Sequence, residues 1–268
     1  MHKFRTLAIA TALIALALPL LADDDHDSGR FQVVPRIFDP FRSNLVNAEW
    51  ESGTGCPTGV RHREFNPNPP YELLQPSRYT DPACPSGDKR DQADEGLLLV
   101  KTGPTLNDAA AVADLKGVKG KTITELGYDI RKPGAGISDP RGSHCGAGAP
   151  RFDIVIDDQL YFIGCASPAP TTDRAGTGWQ RLRWGGATPL LAYPASGTCE
   201  PPTVAAPGGL CNLTGVAVDE ISIVFDEGQD AMGGPDQFGA AVLDNVDVNG
   251  VLVGRGPEGD GGGGGKNK

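Results

Sequence analysis

The chain has 268 residues, with 34 Asp and Glu against 24 Lys and Arg and a formal net charge of −10. Such an acidic surface, with no clustered basic stripe, argues against binding to nucleic acid or to an anionic membrane. The 37 glycines and 23 prolines interrupt the chain so often that long helices have little room.

The first 22 residues are typical of a secretory signal peptide. A basic start with Lys3 and Arg5 precedes an uncharged apolar run from Leu7 to Leu21, and Ala22 stands before three aspartates. The run is shorter than the roughly 20 residues of a membrane span, and an uncleaved anchor is the alternative. Cleavage would leave 22 basic against 34 acidic residues, a net charge of −12. We therefore expect a secreted protein, extracellular or periplasmic, with no membrane segment after cleavage.

Composition divides the rest of the chain into three parts. Acidic residues dominate the start of the mature protein, strand patterns fill the middle, and the end is almost entirely Gly, Asp, Lys and Asn. We predict an acidic segment over 23–42, a β-sandwich domain over 43–254 with a loop insertion at 56–84, and a disordered Gly-rich tail over 255–268.

Short apolar or alternating runs predict six or seven strands. A hairpin with an acidic turn at Asp157-Asp158 is the clearest of them. The Ala-rich stretch 107–116 is compatible with a surface helix or an irregular loop. No βαβ spacing is present, so the sequence favours an all-β antiparallel sandwich. The predicted strands cover residues 96–101, 122–131, 152–156, 160–163, 179–184, 221–225 and 240–248, and residues 44–50 are another possible strand.

Six cysteines lie in the mature part, and an even number in an oxidising compartment favours three disulfides. Six cysteines allow 15 pairings, among which the sequence does not choose. We predict that neighbours pair, so that each crosslink closes a Pro- or Gly-rich loop. The predicted pairs are Cys56 with Cys84, Cys145 with Cys165, and Cys199 with Cys211.

Several short motifs resemble those of the galactose-binding-domain-like jelly rolls, the β-sandwich of many extracellular carbohydrate-binding modules. Residues 44–53 (NLVNAEWESG) are similar to the opening pattern N-L-x-x-N-x-x-F-E-x-G, with Trp50 in place of Phe. Three later segments resemble later motifs of that family and occur in the same order. They are residues 120–131, Trp179-Gln180-Arg181 and residues 243–248 (LDNVDV). The resemblance covers 44–250 and implies a jelly-roll fold; the insertion at 56–84 departs from it.

The same resemblance implies a structural calcium ion. Such modules commonly hold one through an acid just after the first strand and another on the last strand. In this sequence those positions are Glu51 and Asp244. Hard carboxylate oxygens from distant segments suit calcium, although an exposed Glu and a turn Asp are the plain alternative.

Sugar binding would use aromatic rings beside hydrogen-bonding side chains. The available rings are Trp179, Trp184, Tyr161 and Tyr193, with Arg183 close to two of them in sequence. The two tryptophans are five positions apart, so on a regular strand they face opposite sides. We predict that Trp184 is the exposed one and that Trp184, Trp179, Tyr161 and Arg183 form the ligand site. Packing of both tryptophans in the interior is the alternative.

Nucleophilic catalysis finds little support, because only His26, His62 and His144 remain after export and no G-x-S-x-G elbow is present. We predict no catalytic residue. The sequence favours a secreted, non-catalytic protein that binds an extracellular polysaccharide or surface glycan. A structural or adhesive exoprotein without a sugar site, and a secreted hydrolase with unassigned carboxylates, are the alternatives.

Overall fold

The structure is a computed structural model. It describes residues 30–62, 77–102, 109–132, 149–176, 178–226 and 238–257. The predicted leader and nearly all of the predicted tail lie outside these ranges. Every regular element within them is a β-strand, and none of the described residues forms a helix long and apolar enough to cross a membrane.

Two antiparallel sheets make up the body of the protein. Numbered along the chain, sheet A has the strand order β1 (Gln32–Phe38), β6 (Ala110–Lys116), β17 (Glu220–Phe225), β9 (Arg151–Ile156), β10 (Gln159–Gly164), β13 (Leu191–Pro194), β15 (Leu210–Asn212), β14 (Val204–Ala206). Sheet B has the order β11 (Thr172–Ala175), β12 (Gln180–Gly185), β8 (Glu125–Arg131), β18 (Phe238–Val248), β5 (Glu95–Thr102), β2 (Val46–Ser52).

Three smaller pairings complete the described strands. A short strand, β19 (Val251–Val253), pairs with β18 at the border of sheet B. Two separate pairs are β3 (Thr58–His62) with β4 (Ser77–Thr80), and β7 (Thr122–Ile123) with β16 (Val216–Ala217).

The hydrophobic core lies between the inner faces of the two sheets. On β8 the alternation places Leu126, Tyr128 and Ile130 in the core, because successive side chains of a strand point to opposite sides. The Tyr128 ring lies 5.5 Å from Trp184 of sheet B, and Phe152 of sheet A lies 6.0 Å from the same indole. Aromatic rings from both layers thus meet at the centre, and the prediction of an antiparallel β-sandwich is confirmed.

The predicted hairpin is confirmed as β9 and β10, in which Ile156 pairs with Gln159. Its turn residues Asp157 and Asp158 have φ angles of 47° and 62°. Two consecutive left-handed residues form the tight turn whose twist matches antiparallel strands, and Asp is one of the residues that tolerates this conformation.

The stretch predicted as a helix or loop, residues 107–116, is instead largely a strand. β6 lies between β1 and β17 in sheet A. Its alanines are buried on both faces, since Ala111 and Ala113 lie in the core and Ala110 packs with Val112 and Val224. Small side chains suit close packing from both sides, and this burial overrides the helix propensity of alanine.

The sandwich also begins earlier than residue 43. Strand β1 starts at Gln32, and Phe31 and Val33 belong to the main core. Arg36 and Pro35 interrupt the apolar pattern of this edge strand, which is why composition alone did not separate it from the acidic segment before it.

Two of the predicted disulfides are present. Cys56 bonds to Cys84 across 28 positions, and Cys199 bonds to Cys211 across 12. Cys165 is also disulfide-bonded, whereas Cys145, its predicted partner, lies outside the described residues. Two of the three predicted pairs are therefore confirmed, and the third stays a prediction.

Trp184 provides a test of the core. Its indole is 2% exposed, so Trp184→Ala should lower the free energy of unfolding by about 3–5 kcal/mol through lost burial and a cavity. Urea unfolding with the disulfides intact measures this. Phe41→Ala is the matched control, because Phe41 is 72% exposed and its truncation should change stability by no more than about 0.5 kcal/mol. Equal effects of the two substitutions would contradict the assignment of Trp184 to the core.

Candidate binding face and candidate metal centre

The outer face of sheet B carries a buried network of charged side chains. The Asp129 carboxylate, with 0% of its side chain exposed, accepts hydrogen bonds from Arg181 Nε at 2.7 Å and Arg181 Nη2 at 2.8 Å. Asn245 Nδ2 donates to Asp129 Oδ2 at 2.9 Å. Arg183 Nε lies 2.8 Å from an oxygen of Asp247. Three adjacent strands, β12, β8 and β18, are therefore joined by ion pairs on the side away from the core.

The connection between β2 and β5 covers this network. We call its described residues, 53–62 and 77–94, the covering segment. Ser86 accepts from Arg181 through its hydroxyl at 3.0 Å and through its carbonyl. The amide of Asp88 donates to Asn245 Oδ1, and that of Cys56 donates to Asp244 Oδ2. The Cys56–Cys84 disulfide holds the segment, so this face of sheet B is closed to a large ligand.

The rings predicted to bind sugar lie in the interior. The prediction that Trp184 is exposed is wrong: its indole faces the core and donates to the carbonyl of Pro168 at 2.8 Å. Trp179 does face the opposite side, as its spacing predicted, but it packs against Cys56 and Cys84 under the covering segment. Tyr161 is buried in the core with its hydroxyl 3.3 Å from Thr203 Oγ1.

Arg183, the remaining predicted ligand residue, is buried in the network on sheet B. Its guanidinium contacts Asp247 and the carbonyl of Leu182 at 2.8 Å each. Neither this side chain nor the three rings presents a surface on which a sugar could stack, because the covering segment or the core occupies that space.

Part of the outer face of sheet A is accessible among the described residues, although Ala110, Val112 and Val224 on the same face are buried. One line of cross-strand partners runs over five strands there, and we call it the outer row. Neighbouring residues along these strands, such as Ala113, Ile223 and Ile163, lie in the core, so the outer row points away from it. The outer row consists of Asp114, Ser222, Asp153, Phe162 and Tyr193.

Exposed aromatic surface lies at one end of the outer row. Tyr193 is 38% exposed, and its hydroxyl lies 2.9 Å from Ser167 Oγ. Its register partner Phe162 is half-buried, with the guanidinium of Arg151 5.5 Å from the ring centroid. A stacked cation and a neighbouring tyrosine hold the two rings as one partly apolar platform.

Partly exposed ion pairs line the rest of this face. Arg151 lies between Asp153 at 2.8 Å and Asp226 at 2.6 Å. Burial raises the pKa of Asp153 to about 6, although the charge of Arg151 opposes this shift. Asp114 contacts both Arg36 and Lys116 at 2.9 Å. The face thus offers donors and acceptors in balanced pairs beside the aromatic platform.

A cleft of about 420 Å³ lies at the other end of the outer row, between β1, β6 and β17. Asp114 and Ser222 of the outer row line the cleft, and both acidic and basic side chains lie beside them. Its volume falls within the range of small-molecule sites, roughly 300–1,000 Å³. The charged lining residues of the cleft are Arg36, Asp114, Lys116, Lys119, Asp219 and Glu220.

A group of three carboxylates, from Asp91, Asp94 and Asp244, forms a candidate metal centre on sheet B. One oxygen from each lies within 4.8 Å of the others. Two oxygens on opposite sides of one calcium ion would be about 5 Å apart, so the spacing fits that ion. Glu51 is exposed on β2 and belongs to no such group among the described residues. The structure therefore brings Asp244 together with different acids from the one expected.

Electrostatics within this group favours a proton or a cation. Burial raises the pKa of Asp91 to about 7, and the charges of Asp94 and Glu95 add to the shift. Burial and the charge of Asp129 raise the pKa of Asp244 well above its ordinary value. Like charges in a buried site disfavour full ionisation unless a cation neutralises them.

Sequence reasoning missed most of the outer row, although Tyr193 was among the candidate rings. The hairpin alternation contained the information: if Phe152 and Ile154 face the core, Asp153 faces outward, and the same holds for Phe162 between Tyr161 and Ile163. No sequence pattern indicated that Asp91 and Asp94 would approach Asp244, since they come from a loop 150 or more positions away.

Comparison with known proteins identifies no family, since no family model and no curated protein matches the chain. Two solved structures are similar to it. The family 11 carbohydrate-binding module of the cellulosomal cellulase Lic26A-Cel5E of Clostridium thermocellum covers 86% of this chain and 92% of its own, with 10% identity and a TM-score of 0.36. A family 11 module from the same organism, in complex with a β-1,3-1,4-mixed-linked tetrasaccharide, covers 82% and 98%, with 13% identity and a TM-score of 0.31. At these identities the function has to be inferred from this chain's own side chains.

The buried network predicts a large effect of removing one ion-pair partner. Arg181→Ala leaves the Asp129 carboxylate desolvated without its bidentate partner, and it should lower the free energy of unfolding by about 3–5 kcal/mol. Arg36→Ala breaks the ion pair with Asp114 on sheet A, where 47% of the arginine side chain is exposed, and should cost at most about 1 kcal/mol. Urea unfolding of both variants provides the comparison; similar losses would contradict the burial of the network.

Proposed function

We propose that this protein is a secreted, non-catalytic β-sandwich that binds a polysaccharide or surface glycan through the outer face of sheet A. The observation that supports this proposal is the outer row, in which an exposed tyrosine and a half-buried phenylalanine continue into paired carboxylates. Pyranose rings have apolar faces that stack on aromatic side chains and hydroxyl groups that bond to polar ones. The disulfides are consistent with folding outside the cytosol.

Sheet A is the better candidate because its polar groups remain partly accessible. Side-chain exposures of 18–23% for Asp153, Arg151 and Asp226 contrast with 0–9% for Asp129, Arg183 and Arg181 on sheet B. Among the described residues no segment covers these groups, so a ligand on sheet A can replace water around them. On sheet B it would have to remove the disulfide-bonded covering segment.

Binding to polysaccharides tests this proposal. The intact protein should sediment with, or be retarded by, at least one member of a panel that includes a mixed-linked β-1,3-1,4-glucan. Tyr193→Ala should reduce the affinity by about three- to tenfold, because a stacking interaction is worth about 0.5–1.5 kcal/mol. Phe41→Ala, an equally drastic truncation of an exposed ring outside the outer row, should bind like the original protein. Absence of binding to the whole panel would overturn the proposal.

We also propose that Asp91, Asp94 and Asp244 hold a structural calcium ion. Calcium takes six to eight oxygen ligands, so main-chain oxygens or water would complete the site. Hydrogen bonds already orient two of the carboxylates: the Glu95 amide donates to Asp91 at 3.0 Å, and the Cys56 amide donates to Asp244 at 2.7 Å. The ion would fix the covering segment and the start of β5 to β18 in the interior of the sheet.

Thermal unfolding with calcium and with chelator tests this site. A ligand that binds only the folded state stabilises it, by about 2.7 kcal/mol when the ligand concentration is 100 times the dissociation constant. The melting temperature therefore rises. Asp244→Asn and Asp94→Asn should each abolish the difference between calcium and chelator. Glu51→Gln is the matched control and should retain it. Loss of the calcium effect in Glu51→Gln and Asp244→Asn, with Asp94→Asn unaffected, would instead support the pair expected from the sequence.

The pH dependence gives a second measurement of the same site. Since the pKa of Asp91 is raised to about 7 in the fold, the folded protein binds a proton that the unfolded chain has lost. In chelator, stability should therefore fall as the pH rises from about 4 to about 7. Calcium replaces the proton, so its stabilising effect should be larger at pH 8 than at pH 5. A calcium effect independent of pH would contradict binding by Asp91.

A further inference from the structure

We propose that the outer row and the cleft are two subsites for one uncharged, extended glycan chain that crosses the strands of sheet A. This inference rests on the proposed function and adds the direction, the minimum length and the charge of the ligand. One subsite is the aromatic platform of Phe162 and Tyr193. The other is the cleft lined by Asp114, Arg36 and Ser222.

The direction and length follow from the strand order. Asp114 on β6 and Tyr193 on β13 are the ends of the outer row, and β17, β9 and β10 lie between them. Four strand spacings of about 4.8 Å separate the two ends by about 19 Å. A mono- or disaccharide cannot reach both subsites at once. A chain of several sugar units lying perpendicular to the strands can.

The middle of the outer row suits such a chain because its side chains, Ser222 and Asp153, are polar and short. Ser222 pairs in register with both Asp114 and Asp153, so a small hydroxyl side chain lies between two carboxylates. Each of these residues offers an oxygen that can accept from sugar hydroxyls. No bulky side chain of the outer row stands between the cleft and Phe162 that would interrupt an extended ligand.

The charge of the ligand follows from the pairing on this face. Arg36 and Lys116 both contact Asp114, and Arg151 contacts Asp153 and Asp226. An anionic glycan would compete with these carboxylates for Arg36, Lys116 and Arg151, and it would meet a protein with a net charge of −10. A neutral glycan can bond to the paired groups while the pairs stay intact.

Calorimetry with an oligosaccharide length series tests the inference on the intact protein. The series comes from a neutral polysaccharide that the protein binds, and a carboxymethylated form of the same polymer serves as the charged probe. Affinity should rise with length and level off once the chain spans both subsites. The carboxymethylated polymer should bind more weakly, and affinity for the neutral chain should change by less than about twofold between low and high salt.

Variants at the two ends separate the subsites. Asp114→Asn should reduce affinity for the long chains by about three- to tenfold, as expected for a lost charge-assisted hydrogen bond, and should flatten the length dependence. Tyr193→Ala should do the same from the other end. Val204→Ala, a truncation of an exposed residue on β14 beyond the outer row, is the control. Melting temperatures of all variants verify that each is folded.

Three results would overturn the inference. If the shortest oligosaccharide bound as tightly as the polymer, a single subsite would suffice. If the carboxymethylated polymer bound more tightly and in a salt-dependent manner, the ligand would be anionic. In both cases glycan binding itself would stand. If no polysaccharide bound at all, the proposed function would fail together with the inference.

Discussion

The desolvated carboxylate of Asp129 is the constraint on which sheet B depends. Its two oxygens are held by Arg181 from one neighbouring strand and by the amide of Asn245 from the other. A buried charge without partners costs several kcal/mol, so the registers of β12, β8 and β18 must bring these groups together. The ion pairs therefore select one alignment of the three strands, while the core behind them supplies the burial of apolar surface.

An irregularity in β18 makes this arrangement possible. The register between β18 and β8 shifts between Asp244 and Asp247, and Asn245 has a φ angle of 47°. Such a bulge changes the strict alternation of side chains. Here it allows two consecutive residues, Asp244 and Asn245, to serve the outer side while Leu243 and Val246 remain in the core. One of them reaches the carboxylates of Asp91 and Asp94, and the other reaches Asp129.

Local patterns in the sequence were sufficient to predict the strands and to predict which residues within a strand share one side. Tyr128 and Asp129 face opposite sides, as the alternating run 122–131 predicted, and the Asp157-Asp158 turn closes the predicted hairpin. The local pattern could not predict whether Trp184 is exposed or buried. The side of β12 that meets the core is determined by how the two sheets stack. For the same reason Trp179, on the opposite side, is covered by a disulfide-bonded segment about 100 positions away.

The candidate metal centre shows the same limit. Asp244 was identified from its place on the last strand, but the acids beside it come from a loop whose path is determined by the Cys56–Cys84 bond and by main-chain hydrogen bonds such as Gly55 N to Asp94 O at 2.9 Å. Pairing Asp244 with Glu51 assumed that two strands alone would build the site. The structure instead brings Asp244 close to Asp91 and Asp94, two acids of the connection that covers the strand.

These features divide the protein into two faces with different physical tasks. Sheet B buries its charges, and burying charges costs free energy that crosslinks and a cation can offset. Sheet A leaves its ion pairs partly exposed, so that their oxygens and nitrogens stay available to hydroxyl groups. Because the core separates the two faces, substitutions in the outer row can test the proposed binding without disturbing the network around Asp129. A face that is not needed to hold the fold together is free to be specialised for a ligand.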